Sequence, residues 1–266
     1  MPETREFTPA DDLALIENAA KEAGRIALGF FGKSPEVWMK GGISPVSEAD
    51  YAVDRYLRET LTSARPAYGW LSEEMADDLE RRATRRTFVV DPIDGTRAFL
   101  DGRPTWCVSV AIVEEGRPLA GVLDCPAKQE FFAAVLDGGA TKNDRPVHVN
   151  PPREPALIAG PKAMLDGAKL DRPVNRAPYI PSLAYRVAMV AEGALDATFI
   201  KPNSHDWDLA AAELILTEAG GRLFEPTGSP PVYASINPRH GALVAGSGPL
   251  LRSMVGALAA MSASTV

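Results

Sequence analysis

Leu13, Ile16, Ala20 and Ala23 recur at helical spacing behind the acids Asp11 and Asp12, which predicts an opening helix over residues 11–31. A loop follows at Lys40-Gly41-Gly42-Ile43-Ser44-Pro45. Ser47 then reads as an N-cap, with Glu48 and Asp50 in the first turn of a helix to about residue 63. Val53, Leu57 and Leu61 form its buried stripe. From residue 87 the pattern changes to strands. Residues 87–91 (TFVVD) predict a short buried strand that runs into Asp91-Pro92-Ile93-Asp94-Gly95-Thr96. In residues 105–113, Trp106, Val108, Val110 and Ile112 alternate with Cys107, Ser109, Ala111 and Val113. Both sets are mostly apolar, so this strand is expected at the centre of a sheet covered on both sides. The segments LAGVLD and EFFAAV add two strands through tight turns, an antiparallel meander.

The Pro-dense stretch 146–155 reads as a linker. Beyond it come a helix over 182–192, a strand LDATFIK, a helix over 207–219 and a strand ALVAG. That alternation is α/β. The expected division is an α+β lobe, residues 1–150, and an α/β lobe, residues 151–266, with a frayed tail MSASTV.

Composition narrows the classes. Of 266 residues, 45% are hydrophobic and 24% charged, which excludes a disordered chain. A net charge of −7 argues against a broad basic face for nucleic acid. Cys107 and Cys125 form no CxxC, and His148, His205 and His240 are scattered, so a Cys/His zinc site is not expected. No basic-then-apolar leader opens the sequence, and no run approaches the ~20 apolar residues of a membrane helix. A cytoplasmic setting without membrane contact is therefore expected.

Three acidic clusters remain: Glu73-Glu74, Asp91 to Asp94, and Trp207-Asp208. Asp91 ends an apolar strand, where a charge needs a partner or a cation. Pro92 holds Asp91 extended. Gly95 permits close approach to the backbone, and the first N–H groups of a helix from Thr96 would face an anion. A strand end, two carboxylates and a helix start converging suit a divalent cation bridging to phosphate, and all-oxygen ligands select Mg²⁺. The plainer reading is a capped turn, with Asp94 bonding its own backbone.

Leu71-Ser72-Glu73-Glu74, Asp91-Pro92-Ile93-Asp94-Gly95-Thr96, Trp207-Asp208-Leu209-Ala210-Ala211 and Glu218-Ala219-Gly220-Gly221, with Ser44 to Asp50 ahead of them, resemble the signatures of the inositol monophosphatase superfamily. The resemblance implies a layered αβαβα sandwich and a lithium-sensitive, Mg²⁺-dependent phosphomonoesterase, often a homodimer. By position it implies that Glu73, Asp91 and the Ile93 carbonyl hold one metal, and Asp91, Asp94 and Asp208 a second, with two or three Mg²⁺ per site. It implies that Thr96 and Asp50 orient the attacking water, that Gly95 and Thr96 N–H groups take phosphate oxygens, and that Glu74 supports the metal shell. Lys40 falls where several members place a loop lysine.

The sequence also departs from the family. Ser72 precedes Glu73 where a Gly is usual, and Met75 replaces a Ser whose hydroxyl could orient the loop. Arg97-Ala98 stands for the usual Thr-Asn. Lys201 stands where inositol phosphatases place a Glu for sugar hydroxyls. Two cations beside the site suit a substrate with a second negative group, so a 3′(2′),5′-bisphosphate nucleotide such as 3′-phosphoadenosine 5′-phosphate is expected to be preferred. Inositol 1-phosphate and histidinol phosphate are the alternatives. Rival functions are a catalytically silent regulator and a Ca²⁺- or sugar-phosphate-binding module without turnover. Trp70 and Trp106 are expected in the core, His205 in a capping role, and Arg81-Arg82 with Arg85-Arg86 on a solvated loop paired with Asp77, Asp78 and Glu80.

Overall fold

The computed structural model describes residues 7–40 and 44–263. Helix α1 (Pro9–Phe30) starts at Thr8, whose hydroxyl accepts from the Asp11 N–H while the Asp11 carboxylate accepts from the Thr8 N–H. A hairpin of β1 (Val37–Lys40) and β2 (Ser44–Ser47) leads into α2 (Glu48–Ala64). Residues 41–43 and the Lys40 side chain, on which the loop-lysine expectation falls, lie outside the described residues, as does the end of the tail, 264–266.

The main sheet follows: β3 (Gly69–Ser72), β4 (Arg86–Asp94), the short helix α3 (Thr96–Leu100), β5 (Cys107–Glu114), β6 (Arg117–Cys125), β7 (Glu130–Val135), β8 (Gly139–Lys142) and β9 (Arg145–Pro146). Its strands lie in chain order, β3 parallel to β4 and the rest antiparallel. The meander is as expected, and so is the two-faced burial of β5. Val108, Val110 and Ile112 pack with α1 and α2, while Cys107, Ala111 and Val113 pack against helices from the second half.

That half holds β10 (Ala156–Ala159), α4 (Lys162–Gly167), β11 (Val174–Arg176), α5 (Leu183–Ala191), β12 (Ala197–Ile200), α6 (Asp206–Glu218), β13 (Arg222–Phe224), β14 (Leu243–Gly246) and α7 (Gly248–Ala263). Its sheet runs β11-β10-β12-β14-β13. The layers are α1/α2, main sheet, α5/α6, second sheet, α7, an αβαβα stack with three apolar cores between them. Helix α6 lies close on β6: a Cβ at Gly121 would sit 2.9 Å from the Ala211 Cα. The small residues Ala210, Ala211 and Ala212 and this glycine let the layers meet.

Two expectations need correction. The chain end is not frayed through Met261–Ala263, because α7 continues to Ala263; Leu250, Met254 and Leu258 give it an apolar face buried against the second sheet. The arginine cluster is not simply a solvated loop. Arg81 pairs with Asp77 as expected, at 2.6 Å, but is buried and also donates to the Ala234 and Ser235 carbonyls. Arg86 enters the interior and pairs with Asp12 and Glu114. Trp106 is fully buried, and Trp70 packs half-buried against the first core. Among the described residues no helix is long and apolar enough to cross a membrane.

Candidate active site

Strands β3 and β4 are parallel neighbours, so Glu73, just after β3, comes beside the end of β4. Asp91 follows the apolar run Phe88-Val89-Val90 and is 1% exposed. Pro92 has no N–H to give the ladder, and pairing with β5 skips from Asp91↔Ser109 to Asp94↔Cys107. Inside this irregularity the Ile93 N–H donates to Asp91 Oδ1 at 3.0 Å. Asp208 comes from the first turn of α6, where its Oδ2 accepts the His205 N–H at 2.7 Å. One carboxylate oxygen from each of Asp91, Asp94 and Asp208 lies within 4.8 Å of the others. Asp94 also meets the start of α5. It accepts from the Ser182 hydroxyl, from the Ala184 N–H at 2.7 Å and from the Leu183 N–H at 3.3 Å.

Crowded buried carboxylates hold their protons tightly. Burial, then the charges of Glu73, Asp94 and Asp208, push Asp91 well above the usual carboxylate range. Burial raises Asp94, opposed by its donors on α5. Burial and the Asp94 charge lift Asp208 to about 7, while the His205 N–H and the Lys201 cation pull it back. Such a self-repelling set of hard oxygen donors fits a divalent cation of the Mg²⁺ type.

Asp50 is likewise buried behind this cluster. Its Oδ2 accepts from the Ser47 N–H at 2.8 Å and the Ser47 hydroxyl at 2.6 Å. Its Oδ1 lies 3.3 Å from Thr96 Oγ1, which is also 3.1 Å from the Ile93 carbonyl oxygen. A threonine hydroxyl has one proton and two lone pairs. When it donates to Asp50 or Ile93, it can still accept from a water. Burial raises the Asp50 carboxyl as well. Gly95, at φ +96°, makes the turn into α3, and a Cβ there would lie 3.1 Å from the Thr105 carbonyl oxygen and 3.2 Å from the Ser182 Cβ.

A cleft of about 460 Å³ joins these groups; Glu73, Asp91, Ile93, Asp94, Gly95, Thr96, Lys201 and Asp208 all line it. Asp50 does not line it and reaches it through Thr96. Arg97 lines the cleft too. The hydroxyl missing at Met75 has a counterpart in Ser72, which donates to Asp54 of α2 and accepts the Glu74 N–H at 3.4 Å. His205 takes the N-cap position of α6, and its ring stacks on Trp207 with centroids 4.5 Å apart. Sequence reasoning missed Tyr179, Arg186, Asn203 and Ser204 on the cleft wall. For Arg186 a signal existed: it is the one charge in the apolar helix LAYRVAMVA.

Residues 10–257 match the inositol monophosphatase family. A Streptomyces griseus protein named glucose-1-phosphate thymidylyltransferase is 35% identical over 80% of this chain and 85% of its own. A histidinol-phosphatase of Mycobacterium tuberculosis is 34% identical over 80% of this chain and 86% of its own. An inositol-1-monophosphatase of Mesorhizobium japonicum is 31% identical over 92% of this chain and 95% of its own. Among solved structures, the extragenic suppressor protein suhB of Bartonella henselae superposes with a TM-score of 0.81 at 29% identity, over 92% of this chain and 97% of that one. The chain therefore belongs to the inositol monophosphatase family and is a phosphomonoester hydrolase.

Proposed function

We propose that this phosphatase is Mg²⁺-dependent and prefers small monoesters with a second phosphate, of the 3′(2′),5′-bisphosphate nucleotide type. The observation that carries the reading is the cleft itself, where Asp91, Asp94 and Asp208 converge and Arg97 and Lys201 line the wall. Glu73, Asp91 and the Ile93 carbonyl would hold one Mg²⁺, and Asp91, Asp94 and Asp208 another, in a set of two or three. Bound there, Mg²⁺ supplies charge neutralisation and an acidified water. Thr96, oriented by Asp50, accepts a hydrogen bond from the attacking water and fixes its direction. The Gly95 and Thr96 N–H groups hold phosphate oxygens, and Glu74 supports the metal shell. Arg97 and Lys201 attract the second anion, which a neutral polyol would lack. Lithium sensitivity, a homodimer and a cytoplasmic setting belong to the same reading.

Phosphate release with Mg²⁺, compared across 3′-phosphoadenosine 5′-phosphate, inositol 1-phosphate and histidinol phosphate, tests it. The expected order of kcat/KM puts the bisphosphate first, with Lys201→Glu erasing or reversing its lead over inositol 1-phosphate. A higher kcat/KM on either single monoester overturns the substrate reading. No release from any compound would leave a silent regulator or a binding module.

A further inference from the structure

The Arg186 guanidinium is buried on α5 and lines the active-site cleft, with its residue 8% exposed. Its buried Nε has no hydrogen-bond partner among the described residues. Among the described residues the guanidinium makes one bond, a long one from Nη1 to the Ile180 carbonyl at 3.4 Å. Among the described residues it forms no salt bridge within 4.0 Å. By contrast, the buried Arg65, Arg81 and Arg86 all meet carboxylates. Arginine carries five N–H donors and stays charged in proteins, so burying its Nε without an acceptor and the guanidinium without a counter-charge is costly. Burial does lower its pKa, and the charge of Asp94 acts against that. The fork of donors therefore lacks its anion.

Position says which anion. The Arg186 N–H bonds the Ser182 carbonyl, one helical turn back, and the Ser182 hydroxyl in turn donates to Asp94. Arg186 thus follows Ser182, Leu183 and Ala184, the residues that grip the metal-side carboxylate, by two to four positions on the same helix. That offset places a planar cation beside the acidic pole of the same cleft. A group bound to both must be anionic at two points several bonds apart. The guanidinium fork matches phosphate oxygens bidentately.

We propose that Arg186 is a further specificity-determining residue, whose guanidinium receives the second, non-hydrolysed phosphate of the substrate through its terminal nitrogens. This rests on the phosphatase reading above and adds a residue within α5 to the charges of Lys201 and Arg97 on the cleft wall. The ester phosphate goes to the acidic pole and the other phosphate to Arg186. The product keeps the second phosphate, so it remains a ligand for the same residue.

Two matched substrates test this: adenosine 3′,5′-bisphosphate and adenosine 3′-monophosphate, each assayed for 3′-phosphate release with Mg²⁺. Arg186→Met should lower kcat/KM on the bisphosphate roughly ten- to hundredfold, mainly through KM, and leave the monophosphate within about twofold. Arg186→Lys should recover part of the loss. The second readout needs no turnover. Adenosine 5′-monophosphate, the product, should raise the melting temperature of wild type more than adenosine does, and Arg186→Met should lose that difference. Equal losses on both substrates, or an unchanged product shift, would overturn the proposal and make Arg186 a support for Asp94. If wild type releases phosphate from neither compound, the phosphatase reading fails on these substrates, and the melting shift still decides the anion site.

Discussion

Asp12 and Asp91 are both almost wholly buried, at 0% and 1% exposure, yet their neighbours carry opposite charge. Asp12 Oδ1 accepts from Arg65 Nε at 2.9 Å; its Oδ2 accepts from Arg86 Nη1 at 2.8 Å and the Tyr68 hydroxyl at 2.9 Å. Arg86 also donates to Glu114 at 2.9 Å. This network ties the start of α1 to the end of α2 and the start of β4. Asp91 instead faces Glu73, Asp94 and Asp208, and each charge raises the cost of the next. One buried acid is complete within the fold. The other leaves negative charge for something outside it to complete, so the same residue type closes the fold in one place and offers a site to a cation in the other.

The difference predicts opposite responses to one kind of substitution. Asp91→Asn should reduce phosphate release at least about a thousandfold, since metal-supplied charge stabilisation is worth several kcal/mol. Without Mg²⁺, its melting temperature should equal or exceed that of wild type, because one repelling charge is gone. Asp12→Asn should do the reverse. It strands two buried guanidinium groups, and breaking such a pair costs about 3–5 kcal/mol. Below its melting transition, kcat/KM should stay within about twofold of wild type. A denaturant titration of each variant, with and without Mg²⁺, checks both. If Asp91→Asn unfolds the protein or Asp12→Asn silences a folded one, the contrast is wrong.

Thr96 sharpens the contrast within the site. Asp50 is bonded by Ser47 like a structural acid, yet it also orients a hydroxyl facing the acidic cluster. Thr96→Ala should lower kcat about a hundredfold with little change in KM. Asp50→Asn should act similarly, and the double variant should add little. Additive losses would show that the two side chains do not work as a unit.

Most of the main sheet and the metal-side cluster could be read from sequence, because their signals are local. Alternation along residues 105–113 fixes both faces of β5, and Asp91 and Asp94 lie within one short motif. Asp12 looked like an ordinary helix-start acid, since its partners Arg65, Tyr68 and Arg86 are 53 to 74 residues away. Arg86 misled for the same reason: nearby acids offered partners that it does not take. Arg186 was overlooked because its environment is made by packing between layers, although a lone cation in an apolar helix was visible. Strands β10, β11 and β13 have three or four residues each, too few for periodicity to mark.

The smallest expected effect is in the pH dependence of stability. In the metal-free protein, Asp91, Asp94 and Asp208 all titrate above their ordinary range, Asp208 at about 7. The unfolded chain gives up these protons near pH 4. Between about pH 4 and 7 the native state therefore binds more protons than the unfolded state, and stability must fall as pH rises. Below pH 4 both states are protonated and this penalty vanishes. From pH 5 to 8, Asp208 should contribute on the order of 1–3 kcal/mol of that fall. Mg²⁺ competes with protons for the cluster, so its stabilisation should be larger at pH 8 than at pH 5. Denaturant titrations at the two pH values, with and without Mg²⁺, measure both slopes, and Asp208→Asn should flatten the metal-free one. An unchanged slope in that variant, or a Mg²⁺ effect independent of pH, would mean that the cluster is already satisfied by the fold, as Asp12 is.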